Sequence, residues 1–407
     1  MNVYPILVAL RRHKAAVLLI VLQIALTLAI VANAFFIVGH TIERMTRTSG
    51  LDENGLIFVW QKLPVVTGDA ATIIEKIDAM QRADLQAIRN LPDVQDATAT
   101  ASFPLLQGDG EGDISLDAEH KGGFVHAAYY YGDEHLRATF GARLIAGRDF
   151  YASEIRHGQG LPGSPVIIVS KALADQLFPS GNALGRTVYQ DGKLATIVGI
   201  VEHLRTPTTD DSNWADNSAI EPLREDVFWT GYVIRARGGR TTAAIRDIHK
   251  ALYDLNPMRH MPRGAGIHPV NEMRASYYDD ERGVALLMSV ICLILLSVTA
   301  AGIVGLTSFW VGQRHRQIGV RRALGARKVD ILRYFQIENL LIAGSGAVIG
   351  ALCAFGLNAW LMKHYEMIHL PLSYVAAGVL AMLVLGQAAV LVPARRASNV
   401  PPVVATR

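Results

Sequence analysis

Residues 15–39 read AAVLLIVLQIALTLAIVANAFFIVG, and this stretch decides the fold. It contains no Asp, Glu, Lys or Arg. A helix of about 20 such residues is long enough to cross the hydrocarbon layer of a membrane. Three further apolar runs cover residues 284–312, 338–362 and 372–393. Because helices of soluble domains rarely stay apolar on all sides over such lengths, the sequence predicts four transmembrane helices.

The composition also indicates a membrane protein. Hydrophobic residues make up 51% and charged residues 18% of the 407 residues, and the mean hydropathy is +0.25. A cleaved signal peptide is the alternative for the first run, because the Ala32-Asn33-Ala34 step resembles a cleavage site. The apolar run continues to Val38, which is too long for a signal-peptide core and favours a retained span.

The distribution of charge predicts the orientation in the membrane. Basic residues near spans remain on the cytoplasmic side. Thirteen of the 39 basic residues lie before the first run, between the second and third, or after the fourth: Arg11, Arg12, Lys14, Arg314, Arg316, Arg321, Arg322, Arg327, Lys328, Arg333, Arg395, Arg396 and Arg407. Residues 41–281, in contrast, hold 24 Lys and Arg against 33 Asp and Glu. We therefore predict that both termini are cytoplasmic and that residues 41–281 lie outside.

The predicted external domain is large enough for its own hydrophobic core, because it has about 240 residues. Both cysteines, Cys292 and Cys353, fall in membrane runs, so no disulfide stabilises this domain. Its periodicity predicts an α+β fold. The expected elements are helices over 72–89, 171–177 and 241–255 and strands over 166–170, 196–201 and 227–236, with loops at 108–112 and 206–217.

No pattern in the chain predicts catalysis. The nearest approach to a phosphate-binding loop is Gly181-Asn-Ala-Leu-Gly185-Arg-Thr187, which is one residue short between its glycines and lacks the lysine. His120, His126 and His135 are close in sequence but lack the spacing of metal ligands. We expect no enzymatic activity and no cofactor on this chain.

The stretch QRHRQIGVRRALGARKVDILRYF, residues 313–335, is a basic segment between the second and third runs. It predicts a short helix that ends at Gly325, a natural left-handed cap, before a second helix begins near Lys328. Two interpretations follow from the residues alone. The helix binds anionic lipid headgroups, or it docks in a cleft of a partner protein.

This stretch resembles the signature of the FtsX-like permease domain. The matching residues are Arg316, Ile318, Gly319, Arg322, Ala323, Leu324, Gly325, Ala326, Phe335 and Glu338. The ending from Pro393 through Pro401 and Pro402 is also similar to the family pattern. Gln317 departs from it, because the family usually has Glu there, so an ion pair from that position is not expected.

The external segment resembles the MacB periplasmic core domain. The similar segments are residues 140–150, 166–170, 172–178, 185–189 and 197–201, whereas residues 51–123 match least clearly. We therefore predict a MacB/FtsX-type (type VII) ABC transporter permease. Its expected domains are residues 1–40 with the first span, the external core domain 41–281, and the permease domain 282–407 with a coupling helix at about 314–326.

The resemblance implies a mechanism and a set of partners. It predicts mechanotransmission in a bacterial inner membrane, where a separate ABC ATPase dimer with ATP and Mg²⁺ moves a dimer of permeases. The second permease is an identical copy or a paralogue. The external domain then extrudes a peptide, antibiotic or similar substrate from the periplasmic side, with a possible adaptor and outer-membrane channel. A lipoprotein-releasing permease and a non-transporting regulator of cell-wall hydrolases are the alternatives, and no nucleic-acid partner is expected.

Two sets of residues are candidates for this mechanism. The predicted ATPase-coupling residues are Arg316, Gln317, Ile318, Gly319, Arg321, Arg322, Leu324, Gly325 and Ala326, with Ile318 and Leu324 filling the ATPase cleft. Gly346, Gly350 and Ala354 lie at four-residue intervals on the third span and predict close helix packing, either with a second copy or within the chain.

Overall fold

The computed structural model describes residues 14–104, 110–119, 121–158, 164–190, 192–207, 214–225, 227–262, 266–365 and 369–399. The segments outside this description include Arg11, Arg12, His120, Pro401, Pro402 and Arg407, and parts of the two predicted loops. The chain divides into two compact units. One comprises Met1–Thr46 and Asp280–Arg407, and the other Arg47–Asp279.

The described helices are α1 (Lys14–Thr46), α2 (Ala70–Arg89), α3 (Leu136–Phe140), α4 (Lys171–Leu177), α5 (Thr241–Leu255), α6 (Val270–Tyr277), α7 (Asp279–Gln313), α8 (His315–Ala323), α9 (Lys328–Tyr365) and α10 (Leu372–Ser398). The strands are β1 (Leu56–Lys62), β2 (Val94–Thr100), β3 (Glu111–Ser115), β4 (Phe124–Gly132), β5 (Leu144–Gly147), β6 (Arg156–His157), β7 (Val166–Ser170), β8 (Thr187–Gln190), β9 (Lys193–Val201), β10 (Ser218–Arg224), β11 (Trp229–Ala236) and β12 (Ile267–Pro269).

Four of the described helices, α1, α7, α9 and α10, are long and apolar enough to cross a membrane. Each contains one of the predicted runs, so the predicted integral membrane fold with four transmembrane helices and an α+β domain after the first is confirmed. Helix α1 is the central one, since 50% of its most apolar window is buried against 11% for α7.

Close packing of α9 on α1 forms the centre of the membrane unit. A Cβ atom added at Gly346 would lie 2.9 Å from the Ile24 side chain, and one at Gly350 would lie 2.9 Å from the Ala25 carbonyl oxygen. The Ala354 carbonyl accepts a hydrogen bond from Asn33 Nδ2 at 3.1 Å. These three positions therefore pack against α1 of the same chain.

Helix α7 also makes polar contacts with α1. The hydroxyl groups of Thr27 and Thr299 are 2.8 Å apart, and Gln23 Nε2 donates to the Val298 carbonyl at 3.1 Å. In an apolar surrounding such bonds between helices replace contacts that water would otherwise supply.

The described residues of the external unit form two sheets. The smaller has the order β12-β1-β11-β2, and its core side is covered by α2 and α5 through residues such as Ile57, Ile88 and Ile248. The larger has the order β4-β3-β8-β9-β7-β10-β6, with β5 on β9. An additional parallel pairing of β10 with β4 closes six of its strands into a barrel.

The predicted elements of this unit differ from the observed ones mainly at their ends. The loop expected over 108–112 is wrong at Glu111 and Gly112, because these residues pair with Ala128 and Ala127 of β4 and begin strand β3. The turn after Gly181 is present, with φ of +80° at Gly181 and +76° at Gly185, and it leads into β8.

Candidate functional site

The predicted coupling segment forms helix α8 and the turn that follows it. The turn closes with hydrogen bonds from Gly325 N to Arg322 O at 3.2 Å and from Ala326 N to Arg321 O at 3.0 Å. Gly325 has φ of +98°, a conformation that glycine adopts without the steric cost of a Cβ atom. Asp330, in the first turn of α9, then accepts from Arg327 N at 3.0 Å. The two helices are thus separated by a defined turn.

One side of α8 is buried in the chain's own core. Ile318 is 6% exposed and belongs to the cluster that includes Ile331, Phe335 and Ala394. Gly319 is also buried. The expectation that Ile318 fills a partner's cleft is therefore corrected, because its side chain already packs within the membrane unit and is not available.

The opposite side of α8 is open to solvent. Leu324 is 83% exposed at the end of the helix, and Val320 is 43% exposed one turn before it. Arg316, Gln317, Arg321 and Gly325 are exposed, whereas Arg322 and Ala326 are half-buried. An apolar side chain surrounded by basic residues therefore projects from the segment.

Arg321 and Arg322 differ in the contacts that their side chains make within the chain. The Arg321 guanidinium lies over the Tyr334 ring at 5.3 Å from its centroid. The Nε atom of Arg322 is buried and has no hydrogen-bond partner among the described residues.

A buried ion pair fixes the segment to the membrane helices, and the sequence did not predict it. Arg314 Nη1 lies 3.1 Å from both carboxylate oxygens of Glu338, with side-chain exposures of 15% and 2%. The same nitrogen donates to the Tyr334 hydroxyl at 3.3 Å, and the guanidinium lies 5.8 Å from the centre of the Trp310 ring. Arg314 follows α7 and Glu338 belongs to α9, so the pair connects the two helices that flank α8.

Two described histidines of the external unit, His126 and His135, pair with carboxylates. No group of three or more His, Cys, Asp and Glu side chains in the described ranges is arranged to hold a metal ion. His126 Nδ1 lies 2.8 Å from Asp113 Oδ1, and His135 Nδ1 lies 2.9 Å from Asp96 Oδ1. The hydrogen bond that His135 donates to Asp96 raises the pKa of His135, and the one that His126 donates to Asp113 raises the pKa of His126.

The neighbours of His135 connect the small sheet to the barrel. Arg89 Nη2 donates to Asp133 Oδ2 at 2.7 Å, and Thr98 Oγ1 donates to Asp133 Oδ1 at 2.7 Å. Burial raises the pKa of Asp96, but the hydrogen bond and charge of His135 outweigh it, so the pKa of Asp96 is lowered overall.

These pKa shifts predict that the external unit loses stability as the pH rises above about 6.5, the ordinary pKa of histidine. A histidine whose folded pKa is raised contributes its full stabilisation below the unfolded pKa of about 6.5 and loses it as the pH passes through the folded value. We expect the urea midpoint of a fragment covering residues 47–279 to fall across this window. His135→Gln should reduce the dependence of the urea midpoint on pH, and the addition of His126→Gln should reduce it further. An unchanged slope in the double variant would assign the pH dependence to other groups.

Comparison with known proteins places both units in described families. Residues 17–252 match the MacB-like periplasmic core domain, and residues 289–402 match the FtsX-like permease C-terminal domain. The macrolide export ATP-binding/permease protein MacB of Chromobacterium violaceum is 26% identical over 269 residues, which are 65% of this chain and 40% of the relative. MacB of Burkholderia cenocepacia is 25% identical over 338 residues, 81% of this chain and 46% of the relative. The chain thus spans less than half the length of these curated relatives.

Among solved structures, the periplasmic region of MacB from Actinobacillus actinomycetemcomitans is similar to 58% of this chain and 98% of its own length. The sequence identity is 13% and the TM-score is 0.36.

Proposed function

The chain belongs to the family with a MacB-like periplasmic core domain and an FtsX-like permease domain, and from this we propose that it is the permease subunit of an ABC export system driven by an ATPase on a partner chain. In this proposal ATP and Mg²⁺ are held by the partner ATPase, since no nucleotide-binding motif is found within residues 1–407. The names of the relatives are those of export proteins, which favours extrusion over lipoprotein release or regulation of cell-wall hydrolases.

The observation that carries the proposal is the exposed Leu324 on a segment fixed to two membrane helices. An 83% exposed leucine in a basic surrounding fits an apolar pocket with an acidic rim. A displacement of α8 is transmitted to α7 and α9 through the Arg314–Glu338 pair. Such a connection is what mechanotransmission from an ATPase requires.

The remaining parts of the system follow the same proposal. Both termini and α8 face the cytoplasm of a bacterial inner membrane, and the unit Arg47–Asp279 is periplasmic. A second copy or a paralogue completes the permease dimer, and an adaptor and outer-membrane channel receive the substrate. The extruded substrate is a peptide, an antibiotic or a molecule of similar kind.

Co-purification tests this proposal directly. The permease is extracted from its native membrane in mild detergent and every associated protein is identified by mass spectrometry. We expect an ABC ATPase in stoichiometric amount and ATP hydrolysis by the complex. A preparation that is monodisperse but contains no ATPase would contradict the proposed function.

A further inference from the structure

The external unit is connected to the membrane helices by two chain passages: residues 47–55, which follow α1, and helix α6, which precedes α7. The chain can carry a displacement of the membrane helices into the external unit along these passages. If each passage could bend separately, the displacement would be absorbed locally. The contacts between them therefore decide how much motion is transmitted.

Arg274 of α6 joins the two passages. Its Nη1 donates to Glu53 Oε1, and its Nη2 donates to the Arg47 carbonyl oxygen. Both side chains are largely buried, with exposures of 19% for Arg274 and 21% for Glu53. Glu53 is held in turn by the Ser49 hydroxyl at 2.7 Å. A charge-assisted bond in a partly dry position resists separation better than an exposed one.

The first passage is also fixed to the barrel. Arg205 N donates to the Ser49 carbonyl at 3.0 Å, and His203 Nε2 lies 2.9 Å from the Thr48 carbonyl oxygen. Gly50, which follows Ser49, has φ of +84°, and a Cβ atom there would lie 2.3 Å from the His203 carbonyl oxygen. The close approach of the two backbones thus requires glycine.

The same passage is fixed to the small sheet. Arg235 of β11, which is buried, donates from Nη2 to the Asp52 carbonyl at 2.9 Å and from Nε to the Thr139 carbonyl at 2.9 Å. Asp52 N donates to the Phe140 carbonyl at 3.0 Å. The first passage is therefore in contact with the barrel, with α3 and with the small sheet, and Arg274 adds the second passage to it.

We propose that Arg274 and Glu53 form a clamp that makes both passages move as one body, so that ATP-driven displacement of α1 and α7 turns the whole external domain. The clamp residues are positioning residues, and the inference rests on the proposed function. The membrane unit has a corresponding connection, because Arg44 of α1 pairs with Glu281 of α7 at 3.1 Å.

The test uses the full-length permease with its co-purified ATPase in proteoliposomes. Cys292 and Cys353 are replaced by serine, and a spin label is attached at Leu194→Cys, an exposed position on β9. The distance between labels on the two permease copies is measured with and without ATP and vanadate. If the unaltered permease shows no ATP-driven change in this distance, the proposed function is contradicted, and the result does not bear on the clamp.

Given that shift, we expect Arg274→Gln and Glu53→Gln each to abolish it while ATP hydrolysis continues at the rate of the unaltered complex. The exchanged pair Glu53→Arg with Arg274→Glu should restore part of it. Arg148→Gln is the matched control, since Arg148 makes a two-bond pair with Glu154 at 2.8 and 2.7 Å away from both passages. It should leave the shift intact.

A merely structural role would lower thermal stability and leave the ATP-driven shift in place. Retention of the full shift in Arg274→Gln or Glu53→Gln would overturn the clamp. Should Arg274→Gln fail to fold, Glu53→Gln decides, because it removes the charge of the pair while the side chain keeps its size.

Discussion

Leu324→Asp is expected to abolish ATPase association while membrane insertion and the external fold remain intact. Burying a leucine side chain contributes about 1.5–3 kcal/mol, and an anchor at the centre of an interface can contribute 2 kcal/mol or more. A loss of about 2 kcal/mol corresponds to roughly 30-fold weaker binding, before the cost of burying a carboxylate is added. Pull-down from native membranes and the ATPase rate of the complex measure this effect.

Matched variants separate loss of the apolar contact from other effects of the change. Leu324→Met keeps an apolar side chain of similar volume and should keep binding. Gln313→Asp adds the same charge at an exposed position just before α8 and should also keep binding. Normal ATPase binding by Leu324→Asp would show that α8 only anchors the protein to lipid.

Gly325→Val approaches the same site through the backbone. A β-branched residue is strongly disfavoured at φ of +98°, so the turn should reorganise and displace Leu324.

Replacing Arg321 and Arg322 with lysine addresses the lipid alternative. Attraction to headgroups depends mainly on charge and should survive the change. Binding to a partner through a seated guanidinium should weaken, because lysine lacks the planar group.

The membrane helices could be predicted from sequence because lipid imposes one rule on every span. Backbone groups must be paired within the helix and side chains must be apolar, which makes each run visible without knowledge of its neighbours. The apolar runs alone do not give the ends of the helices. Helix α9 begins at Lys328, as predicted from the turn at Gly325, whereas its apolar run begins only at residue 338, since the first turns of the helix are amphipathic and pack Ile331 and Phe335 into the core.

Long-range pairing could not be predicted. The barrel closes because β10 pairs in parallel with β4, residue Ser218 with Ala128, and no local periodicity encodes which strand is the partner. The same limit applies to Arg314 and Glu338. Glu338 was recognised as part of a family pattern, but its partner is fixed by the crossing of α7 and α9. Similarly, the burial of Ile318 depends on α10, whereas the turn at Gly325 is local and was predicted.

A second large effect is expected at a buried ion pair that contacts the small sheet. Arg259 donates to both carboxylate oxygens of Asp84 at 2.9 and 2.8 Å, and the two side chains are 2% and 3% exposed. Tyr232 donates its hydroxyl to Asp84 at 2.8 Å, and Arg259 also donates to Gln61 Oε1 at 2.7 Å. Burial and the neighbouring Asp84 raise the pKa of Tyr232, so its hydroxyl stays protonated as a donor.

Asp84→Ala should therefore lower the free energy of unfolding of a fragment covering residues 47–279 by about 3–5 kcal/mol, because it leaves the Arg259 charge buried and unpaired. Replacing both residues, as Asp84→Leu with Arg259→Met, should recover most of the loss, since no charge is then buried. The exposed pair Lys171–Asp175 provides the control, and Asp175→Ala should cost no more than about 1 kcal/mol. Urea unfolding followed by tryptophan fluorescence measures all three. A loss below about 1 kcal/mol for Asp84→Ala would mean that water reaches Arg259, and that the pair is not the closed centre between α2, β1 and β11 that its contacts indicate.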